Sequence, residues 1–576
     1  MKQMILYLKP YWKRMALAAL AIAVSTMCDL MLPTIMSDIL NVGVQNADFS
    51  YIVFCCGQMF VVSLLGLATV LMGTWLSTRV VSGFCTDLRG AVFRKVHSMT
   101  FEEFGKLGTA ALVTRATHDV DTVSWVASEL SGTIVTIPVL FFGGVFLAMS
   151  KDAALSLTMF AFLPVIFVLV LVVGRKIVPL WEKSDTYIDK QNDVMRQRLR
   201  GIRVIRAFNA EDQEQERIAE ATRIMADTII ASNVSMGLIS PVATFLLNFA
   251  AVLIVYFGGV RMQTGSGLSG ADVFAIVQYI SLVSSGVIMG AFSIIMFPHA
   301  KVAAERIGQV LNAAGMADPV ARQELVLTGD IRFEDVSFSY VGAGEQALSH
   351  ISMHIKPGQR VAIIGGTGSG KSTLVSMLLG FRMPTGGQVL LDGTPTNAMS
   401  RHTMRQNMSC VLQNSSIYSG TIRENVRMGK ADAEDDEILE ALEAAQAMEF
   451  VQGFPDGLDH EIKQSGKNLS GGQKQRLSIA RALLKDAPVY IFDDSFSALD
   501  FLTEAKLRQA LNRRTTGKTQ IVITQRVSSA MHCDCIYVMD RGCLVGAGTH
   551  EELLKSCTVY QEIYTSQTGG NSHEKE

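Results

Sequence analysis

Charge is scarce in this sequence. Asp, Glu, Lys and Arg make up 18% of 576 residues, against about a quarter in an ordinary soluble chain. What charge there is nearly cancels, at 51 Lys and Arg against 53 Asp and Glu, so no basic surplus exists to neutralise a phosphate backbone and no nucleic-acid partner is expected. The nine cysteines include no paired CxxC motifs. Cys533 and Cys535 form only a CxC, so a zinc site is not expected and the thiols read as reduced. No small-residue cleavage site follows MKQMILYLKPYWKR (1–14). That stretch reads as an interfacial lead-in to a retained span, not as a signal peptide.

Apolar sequence fills the space that charge leaves. Hydrophobic residues are 49% of the chain and the mean hydropathy is +0.28. They cluster in the first three hundred residues. A spanning helix needs ~20 mostly apolar residues, and six stretches qualify: about Ala16–Met36, Tyr51–Leu76, Leu130–Met149, Ala153–Val173, Met236–Gly259 and Val273–Phe297. Connections 37–50, 150–152 and 260–272 are short and carry few basic residues. Segments 79–129 and 175–227 are long and basic, with Arg79, Arg89, Arg94 and Lys95 in one and Arg175, Lys176, Arg196, Arg200, Arg203 and Arg206 in the other. The positive-inside rule then puts both termini in the cytoplasm of a multi-pass protein of the cell membrane, with the lipid bilayer as a partner.

The long connections are patterned as helices. LRGIRVIRAF (199–208) aligns Leu199, Ile202, Ile205 and Phe208 along one side, and DLRGAVFRKVHSMTFEEF (87–104) is similarly amphipathic. A descent of twenty-five residues reaches ~35–40 Å below the membrane, enough to meet a soluble domain. Asp29, inside the first span, is a candidate for a substrate or coupling role; a place near the outer interface or a watery cavity is the other reading. Methionines Met59, Met72, Met149, Met159, Met236, Met289 and Met296 fit an adaptable apolar cavity or plain bundle filler.

After Lys301–Arg306 the pattern becomes that of a soluble α/β domain. VARQELVLTGD (320–330) reads as a linker into the alternating strand IRFEDVSFSY (331–340). GQRVAIIGGTGSGKSTLVSMLLG (358–380) reads as strand, Gly-rich loop and helix. Within it Gly365, Gly366, Thr367, Gly368, Ser369, Gly370, Lys371 and Ser372 fit GxxxxGK[ST]. The glycines let backbone N–H groups close around phosphates at a helix N-terminus. Lys371 neutralises β/γ-phosphate charge and Ser372 offers a hydroxyl to Mg2+. The apolar strand VYIFDD (489–494) delivers Asp493, a second Mg2+ partner through water. Between them NLSGGQKQRLSIARALL (468–484) opens a helix with Ser470, Gly471, Gly472 and Gln473, a further anion site. A second phosphate site facing a second nucleotide implies two such domains, head to tail.

Six spans with long cytoplasmic extensions, followed by this ordered set of motifs, resemble the ABC exporter half-transporters over essentially the whole chain. The implied fold is a membrane α-helical domain of six transmembrane helices joined to a cytoplasmic α/β P-loop nucleotide-binding domain. Expected boundaries are 1–310 for the membrane domain with two coupling helices, 311–330 for a linker, 331–565 for the ATP-binding cassette and 566–576 for a disordered tail. The resemblance implies that Tyr340 stacks on adenine and that Gly365 to Thr373 form the Walker A segment. It implies that Gln413 is the Q-loop glutamine reaching Mg2+. Ser470, Gly471, Gly472 and Gln473 would clamp the γ-phosphate held by a partner domain, and Ser497 to Asp500 would form the D-loop. The two amphipathic segments are similar to coupling helices.

The chain departs from the family's pattern at three points. Asp494 stands where a glutamate usually polarises the attacking water. Gln525 stands where a histidine usually contacts the γ-phosphate, and Gln464 replaces a common glutamate. Asp is one methylene short, and Gln carries neither the charge nor the proton of His. Slow hydrolysis with retained ATP binding is therefore expected at this chain's own site. That pattern resembles the degenerate-site subunit of a heterodimeric exporter, whose intact signature completes the partner's competent site; a homodimer with two impaired sites is the alternative. Multidrug-type efflux of hydrophobic or amphipathic small molecules is the implied function. Lipid flipping, export of a dedicated peptide or metabolite, and an ATP-gated channel or regulatory module stay open.

Overall fold

The computed structural model describes residues 2–264, 268–315, 325–340, 342 and 344–568. The chain divides into two units, Met1–Gly315 and Met316–Glu576.

The first unit is helical. Among the described residues, six stretches are long and apolar enough to cross a membrane: Leu6–Val44, Phe49–Ser98, Thr109–Lys151, Ala153–Lys176, Glu211–Gln263 and Gly270–Gly290. Five of the six expected spans lie inside these, and the sixth lies within the helix Gly270–Asn312. The two longest of the described helices far exceed a bilayer. Phe49–Ser98 has 50 residues and Ala153–Ala207 has 55, so they are about 75–83 Å long at the helical rise, against a hydrocarbon core of about 30 Å.

The stretch 87–104 is not one helix. The long helix stops at Ser98, and Thr100, in extended conformation, accepts from Glu103 N at 3.2 Å to cap a new helix, Phe101–Leu107. Gly108, with φ 74, separates that helix from Thr109–Ala116. Stretch 199–208 does sit on a helix end, with Leu199 and Phe208 exposed and Ile202 and Ile205 half-buried.

Small residues let the helices close on one another, the usual device where lipid supplies no hydrophobic drive. A Cβ at Gly73 would lie 2.8 Å from Ile22 Cγ1, and one at Gly144 would lie 2.4 Å from Val283 Cγ2. Polar groups tie one set of helix ends together. Lys151 Nζ lies 3.2 Å from Asp272 Oδ1 and 3.5 Å from Asp38 Oδ1, while Ser37 Oγ donates to Asp272 Oδ1 at 2.9 Å. Asp272 also completes a capping box with Ser269 at the start of Gly270–Asn312.

Both ends of the expected linker, 311–330, carry defined structure. Helix runs to Asn312 and Gly315 bridges to Met99, whereas 325–330 is pinned to the second unit. Asn407 accepts from Leu327 N at 2.9 Å and donates to Leu325 O at 2.6 Å, and Asp392 accepts from Asp330 N at 2.8 Å. Residues 316–324 lie outside the described residues.

The second unit holds two main sheets. One is antiparallel, in the order β2 (Leu348–Ile355), β1 (Ile331–Phe338), β4 (Gly386–Leu391), β5 (Thr394–Pro395). The other runs β12 (Cys543–Gly548), β11 (Cys535–Asp540), β3 (Arg360–Gly365), β10 (Thr519–Thr524), β9 (Val489–Asp493), β6 (Met408–Val411), and is parallel apart from β12. A short pair, β7 (Gly420–Thr421) and β8 (Glu461–Ile462), lies apart. Every residue of β9 and β10 is buried, as parallel strands covered on both faces require. The last helix, Thr558–Thr568, runs three residues into the stretch expected to be a disordered tail; 569–576 lie outside the described residues.

Candidate functional site

Strand register assembles the nucleotide site. β10 lies between β3 and β9, with Thr524 paired to Ile364 and Ile523 paired to Asp493. The Gly-rich loop after β3, the acid ending β9 and Gln525 after β10 therefore leave the same edge of the sheet side by side. Ligands of open parallel sheets bind beyond the strand C-termini. A pocket of about 290 Å3 lies there, lined by Tyr340, Thr367 to Thr373, Gln413, Asp493, Asp494 and Gln525.

The loop can make its turn only with glycine. Gly368 and Gly370 have φ 81 and 98, and a Cβ on Gly370 would come within 2.6 Å of Leu348 Cδ2. Lys371 opens the helix Lys371–Leu378, and its ammonium donates to Gly365 O at 2.9 Å and Gly366 O at 2.7 Å. Burial pushes this lysine below its ordinary value, and the charges of Asp493 and Asp494 oppose the shift. Burial likewise raises the Asp493 carboxyl, while a hydrogen bond from Ser372 and the charge of Lys371 pull it down. Ser372, Asp493 and Gln413 together offer the hard oxygen donors that Mg2+ takes.

Asp494 occupies the left-handed region, with φ 48. Among non-glycine residues, Asp and Asn tolerate that conformation best, because a short polar side chain bonds locally. Asp494 N donates to Ile523 O at 2.9 Å, and its carbonyl accepts from Gln475 Nε2 at 3.2 Å and Ser497 Oγ at 3.0 Å. Gln525 is fixed through its backbone. Gln567, on the last helix, donates to Gln525 O at 2.6 Å and accepts from Val527 N at 2.8 Å. The next residue, Arg526, reaches Glu504 Oε2 at 3.2 Å and Ser497 O at 3.1 Å, joining the segment after β10 to the expected D-loop.

Ser470, Gly471, Gly472 and Gln473 do not line this pocket. They open the helix Gly471–Leu484 with a reciprocal cap: Gln473 N donates to Ser470 Oγ at 3.3 Å and Ser470 N to Gln473 Oε1 at 2.8 Å. Such a cap contributes on the order of 1 kcal/mol. Gln464 begins a short 3-10 turn, Gln464–Gly466, with Ser465 at φ 59.

Sequence reading missed four site residues: Gln475, Gln567, Arg526 and Arg382. Gln475 is buried and bridges Asp494 O and Ala498 N. The Arg382 guanidinium lies 4.6 Å from the Tyr340 ring centre. Their partners are distant in sequence, so no local spacing marks them.

The helical unit holds its own cavity of about 690 Å3, lined by residues that include Thr133, Ile137, Phe141, Phe167, Val287 and Ser293. Its walls are aromatic and branched aliphatic. Of the methionines singled out in the sequence, Met59, Met72, Met149, Met236 and Met289 do not line it, and the side chains of Met159 and Met296 lie outside the described ones; Asp29, which is exposed on the helix Trp12–Asp38, does not line it either.

The ABC transporter transmembrane region matches residues 15–287, and the ABC transporter domain matches residues 348–497. An uncharacterized ABC transporter ATP-binding protein of Mycobacterium tuberculosis is 35% identical, with 98% of this chain and 97% of that one aligned. An ATP-dependent lipid A-core flippase of Albidiferax ferrireducens is 31% identical over 97% of this chain and 96% of its own. Among solved structures, a bacterial Atm1-family ABC exporter with ATP bound shares the fold, with a TM-score of 0.82 at 22% identity, covering 97% of this chain and 99% of that one. The chain belongs to the ABC transporter family and has the architecture of an exporter half-transporter.

Proposed function

We propose that this chain is one subunit of a heterodimeric exporter of hydrophobic or amphipathic compounds, with its own ATP site hydrolytically impaired. The observation that carries the reading is the composition of one pocket. An intact Walker loop, Gln413 and Asp493 line it together with Asp494 and Gln525. Lys371 and the loop amides bind phosphates; Tyr340 faces the base. Mg2+ held by Ser372 and Asp493, with Gln413 in reach, would neutralise phosphate charge. Asp494 then presents its carboxylate one methylene short of where a glutamate would polarise water. Gln525 supplies an amide that takes up no proton. Poor positioning of water costs rate rather than affinity.

The signature residues, outside that pocket, serve a partner's nucleotide in a head-to-tail dimer. ATP closure of the two nucleotide domains turns the membrane cavity outward and hydrolysis resets it, with both termini cytoplasmic. The apolar walls of the 690 Å3 cavity favour an apolar cargo, since pockets of this size suit small organic molecules. Lipid flipping is the second reading, favoured by the likeness to a lipid A-core flippase. The test is ATPase activity in lipid of the chain alone and with a second half-transporter that co-purifies with it. Low activity alone and robust, drug-stimulated activity together support the proposal. Robust activity alone contradicts it, and stimulation by lipid but by no drug selects the flippase.

A further inference from the structure

Tyr340 has two ring faces and two tethers. Its hydroxyl shares a hydrogen bond of 3.0 Å with Thr373 Oγ1, on the helix that follows the phosphate loop. The Phe338 ring meets it edge-on, with centres 5.1 Å apart and planes at 82°. The Arg382 guanidinium lies 4.6 Å from the Tyr340 ring centre and 5.7 Å from that of Phe338. Arg382 lies just beyond the C-terminal end of the helix Lys371–Leu378, in the turn before β4. The phosphate-binding helix is thus flanked by both tethers of the aromatic: Thr373 in its first turn and Arg382 after its end.

We propose that Arg382 is a positioning residue for base recognition, holding the Tyr340 ring so that a purine stacks on the opposite face. The inference rests on Tyr340 being the wall that faces the base. A cation over an aromatic face is attracted by the ring quadrupole, and the planar guanidinium also stacks on it. A ring so held loses little freedom when a base arrives, and preorganisation of this kind appears as affinity. Arg382 is not among the residues lining the phosphate end of the pocket. Its effect is therefore expected on the base and not on the triphosphate.

The test compares ATP with inorganic tripolyphosphate as ligands of the purified full chain in lipid. Binding of each is measured for wild type, Arg382→Ala, Tyr340→Ala and the double variant. Arg382→Ala is expected to weaken ATP binding about three- to tenfold, a change of the size reported for cation–π contacts. It is expected to leave tripolyphosphate within twofold, and to have no further effect on ATP in the Tyr340→Ala background. Equal weakening of both ligands would make Arg382 a general phosphate attractor and overturn the inference. Unchanged or tighter ATP binding would do the same, the latter showing that Arg382 competes with the base. Failure of wild type to bind ATP, or of Tyr340→Ala to weaken it, would instead count against the reading of the site itself.

Discussion

Gln475 Nε2 donates to the carbonyl of Asp494 at 3.2 Å, and Gln475 Oε1 accepts from Ala498 N at 3.2 Å. One buried amide thus fastens the signature helix both to the acid of this chain's own site and to the expected D-loop. Replacing Gln475 by Leu takes this partner from Ala498 N and leaves the Asp494 carbonyl with the hydroxyl of Ser497; a buried group left unpaired costs about 1–3 kcal/mol. The variant is expected to unfold at a lower apparent temperature, and ATP is expected to recover less of the loss than it stabilises wild type. Differential scanning calorimetry with and without ATP checks both. An unchanged melting temperature would mean that the bridge contributes nothing.

Asp493 gives the site a pH dependence. Burial raises its carboxyl above the ordinary value, so on acidification it takes up a proton at a higher pH than an exposed aspartate does. The protonated form is a poor metal partner. In the protein without ligand, the raised group contributes stability below the unfolded value, and that contribution is lost as pH rises through the folded one. For ligand the sign is opposite: ATP binding in the presence of Mg2+ weakens as pH falls through the raised Asp493 value. ATP binding measured in EDTA lacks that step. Titrations of both across mildly acidic pH are the check; identical profiles would contradict the assignment of Asp493 to the metal.

The apolar cavity of the helical unit is expected to govern cargo and not ATP binding. Ser293 is buried on its wall, with its hydroxyl spent on Met289 O at 3.1 Å. Ser293→Phe inserts a ring into that space. Stimulation of ATPase by hydrophobic compounds, measured with the partner subunit present, is expected to fall at least fivefold, while basal activity stays within twofold. Undiminished stimulation would place the cargo elsewhere.

Much of this was legible in the residues. The spans announce themselves by length and hydropathy, and Gly365 to Ser372 and Asp493 by strand and helix context, because a parallel sheet needs apolar strands and places its loops at one edge. Continuity was not legible. Residues 153–207 form one helix although Pro164 and Pro179 lie inside it and its second half is basic; composition changes there while the helix does not. The break at Ser98 was hidden because the apolar spacing carries on past it, and only the cap at Thr100 and the turn at Gly108 reveal it. Gln475, Gln567, Arg526 and Arg382 act across long sequence separations, which no local pattern encodes. Asp494 and Gln525 stood out in sequence as departures, and the structure adds that Asp494 sits in a conformation its short side chain tolerates well.

The slow hydrolysis proposed for this chain's own site falls to Asp494 and Gln525. The most direct measurement is ATP turnover by the purified chain in lipid, wild type against the double variant Asp494→Glu with Gln525→His. ATP affinity of the two is expected to agree within a few fold, while turnover rises by at least tenfold, a barrier change of about 1.4 kcal/mol. Equal turnover, or a wild type already as fast as the variant, would contradict the account.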